Sequence, residues 1–115
     1  MKTILFDFDG VIHNHSTNKW KSIDIIEGQP VEGIRDCIKE LRKTHKIVIY
    51  SSRCIKKKGR KAIKQWLIKN DIEVDGITKE KLSYASTIVD DRAVNFNGDV
   101  NKLLNDIKNF KVWCS

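Results

Sequence analysis

Residues 4–10, ILFDFDG, constrain the fold more than any other stretch of this chain. Ile4, Leu5 and Phe6 form an uninterrupted apolar run, the pattern of a strand buried on both faces of a parallel sheet. The run ends abruptly in Asp7 and Asp9. A buried carboxylate without a partner costs several kcal/mol or stays protonated. The two aspartates must therefore sit where the strand meets solvent, or something must compensate them. The pattern recurs twice: KIVIYSS (46–52) runs into two serines, and STIVDD (86–91) runs into a second pair of aspartates.

Between these runs the apolar spacing changes to that of helices. Val31, Ile34, Ile38 and Leu41 predict an amphipathic helix over 31–43, with Pro30 at its first turn. Ala62, Ile63, Trp66 and Leu67 predict a second, stopped near Asn70. Asp99 is placed to cap a third, with Val100, Leu103, Leu104 and Ile107 turned inward. Strands are expected at 2–8 and 46–52, weakly at 72–78, at 86–91, and as a final edge at 110–113. Strands alternating with helices imply an α/β fold: a three-layer, Rossmann-like parallel sheet with helices on both faces. In such sheets ligands bind beyond the carboxyl ends of the strands. DFDG, SSR and DDR should then share one edge.

With 115 residues the chain is expected to form one domain, 1–115. No apolar run approaches the roughly 18 residues that cross a membrane, and aspartates interrupt the start too early for a signal peptide. A cytoplasmic protein without membrane association is expected. Cys37, Cys54 and Cys114 are odd in number and lack metal-type spacing, which suits a reducing compartment. A net charge of +7 favours phosphate-bearing partners: a phosphorylated small molecule, a nucleotide or nucleic acid.

Two residues apart on an extended strand, Asp7 and Asp9 would face the same side, with α-carbons about 6.6 Å apart. With Asp90 and Asp91 they make four carboxylates at one edge, which repel one another unless a hard cation is present. Mg²⁺ suits such an oxygen-rich site. Gly10, lacking a side chain, lets backbone amides approach a ligand.

DFDGV, the strand-end serine of VIYSSR, a lysine before the last acidic strand, and VDDRAV occur in this order over residues 7–91. Together they resemble the four motifs of the haloacid dehalogenase superfamily. That resemblance implies a phosphohydrolase, since aspartate at the second motif position is usual in the phosphatase and phosphotransferase branches. Asp7 would attack phosphorus and form an aspartyl-phosphate; Asp9 would protonate the leaving oxygen and then activate water. Ser51, preferred over its neighbour Ser52, would bind a phosphoryl oxygen. Lys81, with Lys79 in reserve, would neutralise the developing charge. The metal would be held by Asp7, the Asp9 carbonyl and Asp90, with Asp91 acting directly or through water.

The family's cap domain has no room here, so an open site is expected, with 11–29 as a flap over it. In that flap His13 and His15 are candidates for substrate or metal contact, against the plainer reading of a polar loop. Trp20 either stacks on a base or sugar or pins the flap to the body. The run KKKGRK (56–61) either guides a phosphate backbone or simply opens a solvated helix. Two other classes compete: a phosphoacceptor receiver domain, and a basic nucleic-acid-binding module with a vestigial site. The order of the motifs counts against the receiver, because the mid-chain strand ends in serines rather than a phosphoacceptor aspartate. Oligomeric state and substrate are not written in the sequence.

Overall fold

The computed structural model describes residues 1–14 and 20–113. Among them, β1 (Lys2–Phe6), α1 (Ile34–Leu41), β2 (His45–Tyr50), α2 (Lys57–Lys69), β3 (Gly76–Thr78), β4 (Thr87–Val89) and α3 (Val100–Lys108) follow in order, with a 3₁₀ turn at Ser52–Ile55. The four strands form one sheet in the order β3-β2-β1-β4, and every neighbouring pair is parallel. The fold is α/β, a parallel sheet flanked by three helices, compatible with a Rossmann-like arrangement.

The strand order follows from the connections. The links β1-α1-β2 and β2-α2-β3 both step the same way along the sheet, and right-handed crossovers then put both helices on one face. Their apolar stripes do meet there: Ile38 from α1 and Ile63, Trp66 and Leu67 from α2 pack with Ile4, Phe6, Ile47 and Ile49 of the sheet. The chain next jumps from β3 across the sheet to pair β4 with β1, reversing direction. That reversal makes β1/β4 the topological switch point, where a crevice opens beyond the strand ends. The register sets Phe6 beside Val89 and Ile49, so Asp7 leaves the sheet next to Asp90.

Several boundaries differ from expectation. The first strand stops at Phe6, because the amides of Ile12 and His13 fold back onto the Phe8 carbonyl and close a turn. Phe8 itself is fully buried. The first helix begins at Ile34, not Val31; Val31 N–H is already engaged by the Ile12 carbonyl, and Pro30 pairs with His13 in an isolated bridge. The second strand is 45–50, the third only 76–78 and the fourth 87–89. The edge strand at 110–113 does not form, so the sheet has four strands among the described residues, not five.

The second face is covered less than a three-layer fold requires. Asp99 caps α3 as expected, its Oδ1 accepting from Lys102 N–H at 3.0 Å. Yet α3 buries none of its residues: Val100, Leu104 and Ile107 are exposed and Leu103 is half-buried. The expected inward stripe is turned to solvent, and Ile88 on β4 is half-exposed with it. Among the described residues no helix is long and apolar enough to cross a membrane.

Candidate active site

Because all four strands are parallel, their carboxyl ends share one edge, and Asp7, Ser51, Lys79 and Asp90 all lie just past those ends. Oxygens of Asp7, Asp90 and Asp91 lie within 4.8 Å of one another. Asp7 keeps its N–H on the Val89 carbonyl at 2.9 Å, one rung beyond the strand, which fixes it against the Asp90 end. Burial, then the charge of Asp90 and the carboxyl of Asp91 beside it, push Asp7 up to about 7 from an ordinary 3.8. Asp91 Oδ1 is buried without a hydrogen-bond partner. Three crowded carboxyls, one half-protonated near neutrality and one holding an unpartnered buried oxygen, are the donor set of a hard divalent cation.

Gly10 shapes this cluster. Its φ is +86°, in the left-handed region, and a Cβ there would lie 2.2 Å from Asp91 Oδ2. Only glycine allows both the turn after Asp9 and the close seat of Asp91.

Asp9 is not the fourth member of the cluster. The chain turns after Phe8, so its carboxylate faces away from the same-side position that a continued strand would give. Arg53 grips it with two bonds, Nε to Oδ2 at 2.8 Å and Nη2 to Oδ1 at 3.2 Å. His13 Nδ1 lies 2.8 Å from Oδ1. Gly28 N–H donates to His13 Nε2 at 2.9 Å, which leaves the ring proton on Nδ1, directed at Asp9. Burial works to raise the Asp9 carboxyl, but the His13 and Arg53 bonds outweigh it and hold it below its ordinary range. The network extends inward, with Trp66 Nε1–H on the Gly28 carbonyl and Phe8 stacked on the His13 ring.

Arg53 is buried at the start of the 3₁₀ turn and was not singled out by sequence reasoning, although it is the R of SSR. Its remaining donor, Nη1, bonds the carbonyls of Ser22, Ile23 and Ile25, each at 3.0 Å. The guanidinium thereby ties the 20–29 part of the expected flap to the body. Trp20 stacks over it at 4.2 Å, the pinning role rather than a free ring. Gly59 of α2 passes so close to the Arg53 carbonyl that a Cβ would sit 1.8 Å from it. No sequence signal separates Arg53 from Arg60 or Arg92; only the need of a buried carboxylate for a partner points to it.

Of the two serines, Ser51 is buried and Ser52 exposed. Ser51 Oγ accepts from Arg53 N–H at 3.2 Å, capping the 3₁₀ turn. Lys79 and Lys81 are both exposed, and neither lies within ion-pair distance of a carboxylate among the described residues. Topology explains this: Lys79 follows β3, two strands from β1 and so about 10 Å across the sheet. The run 56–61 is the cap and first turn of α2, with Arg60 bonded to the Cys54 carbonyl. His13 is buried and bonded to Asp9 rather than presented to solvent, while His15 and Cys114 lie outside the described residues. Cys37 and Cys54 are free thiols.

No family model matches the chain, and neither does any curated protein. Among solved structures, the fold is similar to that of a chain in a Pnkp1/Rnl/Hen1 complex, with a TM-score of 0.57 and 13% identity over 96% of this chain. This chain spans 35% of that one. At such identity the likeness is one of fold.

Proposed function

We propose that this chain is a capless, Mg²⁺-dependent phosphohydrolase of the haloacid dehalogenase type, cleaving a phosphate monoester through an aspartyl-phosphate on Asp7. The observation that carries the reading is the convergence of Asp7, Asp90 and Asp91 at the switch point of a parallel sheet, with no basic side chain paired to any of them among the described residues. The strand order supports it over a receiver domain, whose sheet runs 2-1-3-4-5 rather than 3-2-1-4.

Asp7, Asp90 and Asp91 would hold the cation, which would neutralise the carboxyls and polarise the phosphoryl oxygens. Asp7, ionised, attacks phosphorus as the ester oxygen leaves. Asp9 serves the second half of the cycle. Held ionised by Arg53 and oriented by His13, it is equipped to take the proton of the water that opens the acyl phosphate. The acid half requires Asp9 to gain a proton first, and the Arg53 pair opposes that. Ser51 is placed at the β2 end to meet a phosphoryl oxygen, and Lys81 or Lys79 would reach the site only on substrate binding.

The alternative is a nucleotide-end or nucleic-acid-binding role on the basic surface, and the likeness to a chain of the Pnkp1/Rnl/Hen1 complex is compatible with it. Phosphate release from an aryl phosphate, with and without Mg²⁺, separates the two. Turnover that needs Mg²⁺ and is lost in Asp7→Asn supports the hydrolase. Salt-dependent nucleic-acid binding that survives Asp7→Asn, with no phosphate released by either protein, supports the binding role.

A further inference from the structure

Three tryptophans are present, and they divide sharply. Trp66 is buried in the core. Trp20 and Trp113 are 54% and 59% exposed, unusual for the largest apolar side chain. Neither is loose. Trp113 Nε1–H donates to the Gly10 carbonyl at 2.8 Å, a contact spanning nearly the whole chain. Trp20 lies over the Arg53 guanidinium, whose other atoms hold the Asp9 carboxylate. Each indole is therefore anchored, through a single intermediary or directly, to the Asp9–Gly10 segment. That segment adjoins Asp7 and seats Asp91.

Water-exposed indoles fixed by a polar tether are rigid stacking surfaces, binding planar rings at low entropic cost. We propose that Trp20 and Trp113 form an aromatic subsite for the base of a nucleotide whose phosphate sits at the carboxylate edge. The proposal rests on the phosphohydrolase reading for the position of that phosphate, and it adds the substrate class. The chemistry required of the ligand is a phosphate monoester joined to a planar base, and the +7 net charge favours such an anion. A free nucleoside monophosphate and the phosphorylated end of a single strand both supply it.

The test is calorimetric binding to Asp7→Asn in Mg²⁺ buffer, where a bound ester is not consumed. The probes are adenosine monophosphate, ribose phosphate and a short single-stranded oligonucleotide with a terminal phosphate. At least one base-bearing probe is expected to bind roughly tenfold or more tighter than ribose phosphate, the usual scale of a stacked base. Trp113→Leu and Trp20→Leu should each shrink that gap and leave ribose phosphate binding unchanged. Trp113→Phe, which keeps a ring, should retain part of the gap and guards against misfolding of the Leu variant. A gap with the oligonucleotide alone identifies a strand end as the source; one shared by adenosine monophosphate identifies the free nucleotide. Equal affinity for ribose phosphate and both base-bearing probes, or a preference that survives both Leu substitutions, overturns the proposal. A base preference without phosphate release from the native chain would remove the hydrolase and keep the subsite; release without preference would do the reverse.

Discussion

At the scale of single residues, Gly10 and Arg53 govern the site without belonging to its cluster of carboxyls. Gly10→Ala would force a side chain into the left-handed region and against Asp91 Oδ2. The backbone alone costs about 1–2 kcal/mol, and Asp91 must leave its seat. We expect a melting temperature several degrees lower and loss of Mg²⁺-dependent stabilisation; a variant that melts and responds to Mg²⁺ like the native chain would disprove the role given to Gly10. Arg53→Met removes the partner of a largely buried carboxylate, whose side chain is 16% exposed. Breaking such a pair costs about 3–5 kcal/mol, and three backbone carbonyls of the 22–25 segment lose their donor as well. Thermal unfolding should show a drop of more than about 10 °C, a scale consistent with a domain of this size. A drop of only a degree or two would mean that the guanidinium is not what compensates Asp9. Arg53 shows where sequence reasoning ran short: the strain of an apolar run meeting carboxylates was legible, but its remedy at Asp9 came from a residue 44 positions away.

Among the elements, local periodicity identified α1, α2 and α3, and the strand ends carried the site. Asp7, Ser51 and Asp90 fell at the expected edge because each follows an apolar run whose type and direction the sequence makes plain. Strand ends were less legible, since the turn that reorients Asp9 depends on the Phe8 carbonyl collecting the amides of Ile12 and His13. Periodicity could also not say what α3 packs against. Its stripe reads as inward, yet Leu104 and Ile107 face solvent. Leu104→Gln and Ile107→Gln should accordingly change stability by no more than about 0.5 kcal/mol, where a buried leucine or isoleucine would lose about 2–5 kcal/mol on truncation. Denaturant titration of the two variants decides it: a large shift in midpoint would place α3 against the sheet.

For the whole molecule, the cluster couples folding to pH and to cations. The Asp7 carboxyl is raised to about 7 from 3.8, so the folded state holds a proton that the unfolded chain releases. Its contribution is complete below about pH 4 and is lost as pH rises through about 7. Without divalent cations the melting temperature should therefore fall between about pH 5 and pH 8, and Asp7→Asn should flatten that slope. Mg²⁺ competes with the proton, so its stabilising effect should grow over the same interval. A slope unchanged by Asp7→Asn would show that other groups set it. Underneath these couplings is the central claim that Asp7 is the nucleophile of a phosphoryl transfer. The most direct measurement is to quench the chain during turnover of a phosphate monoester, reduce any acyl phosphate with borohydride, and map the product by peptide mass spectrometry. Homoserine at position 7 is predicted, with Asp9, Asp90 and Asp91 unmodified. Phosphate released while residue 7 stays unmodified, or reduction at another aspartate instead, would contradict the account.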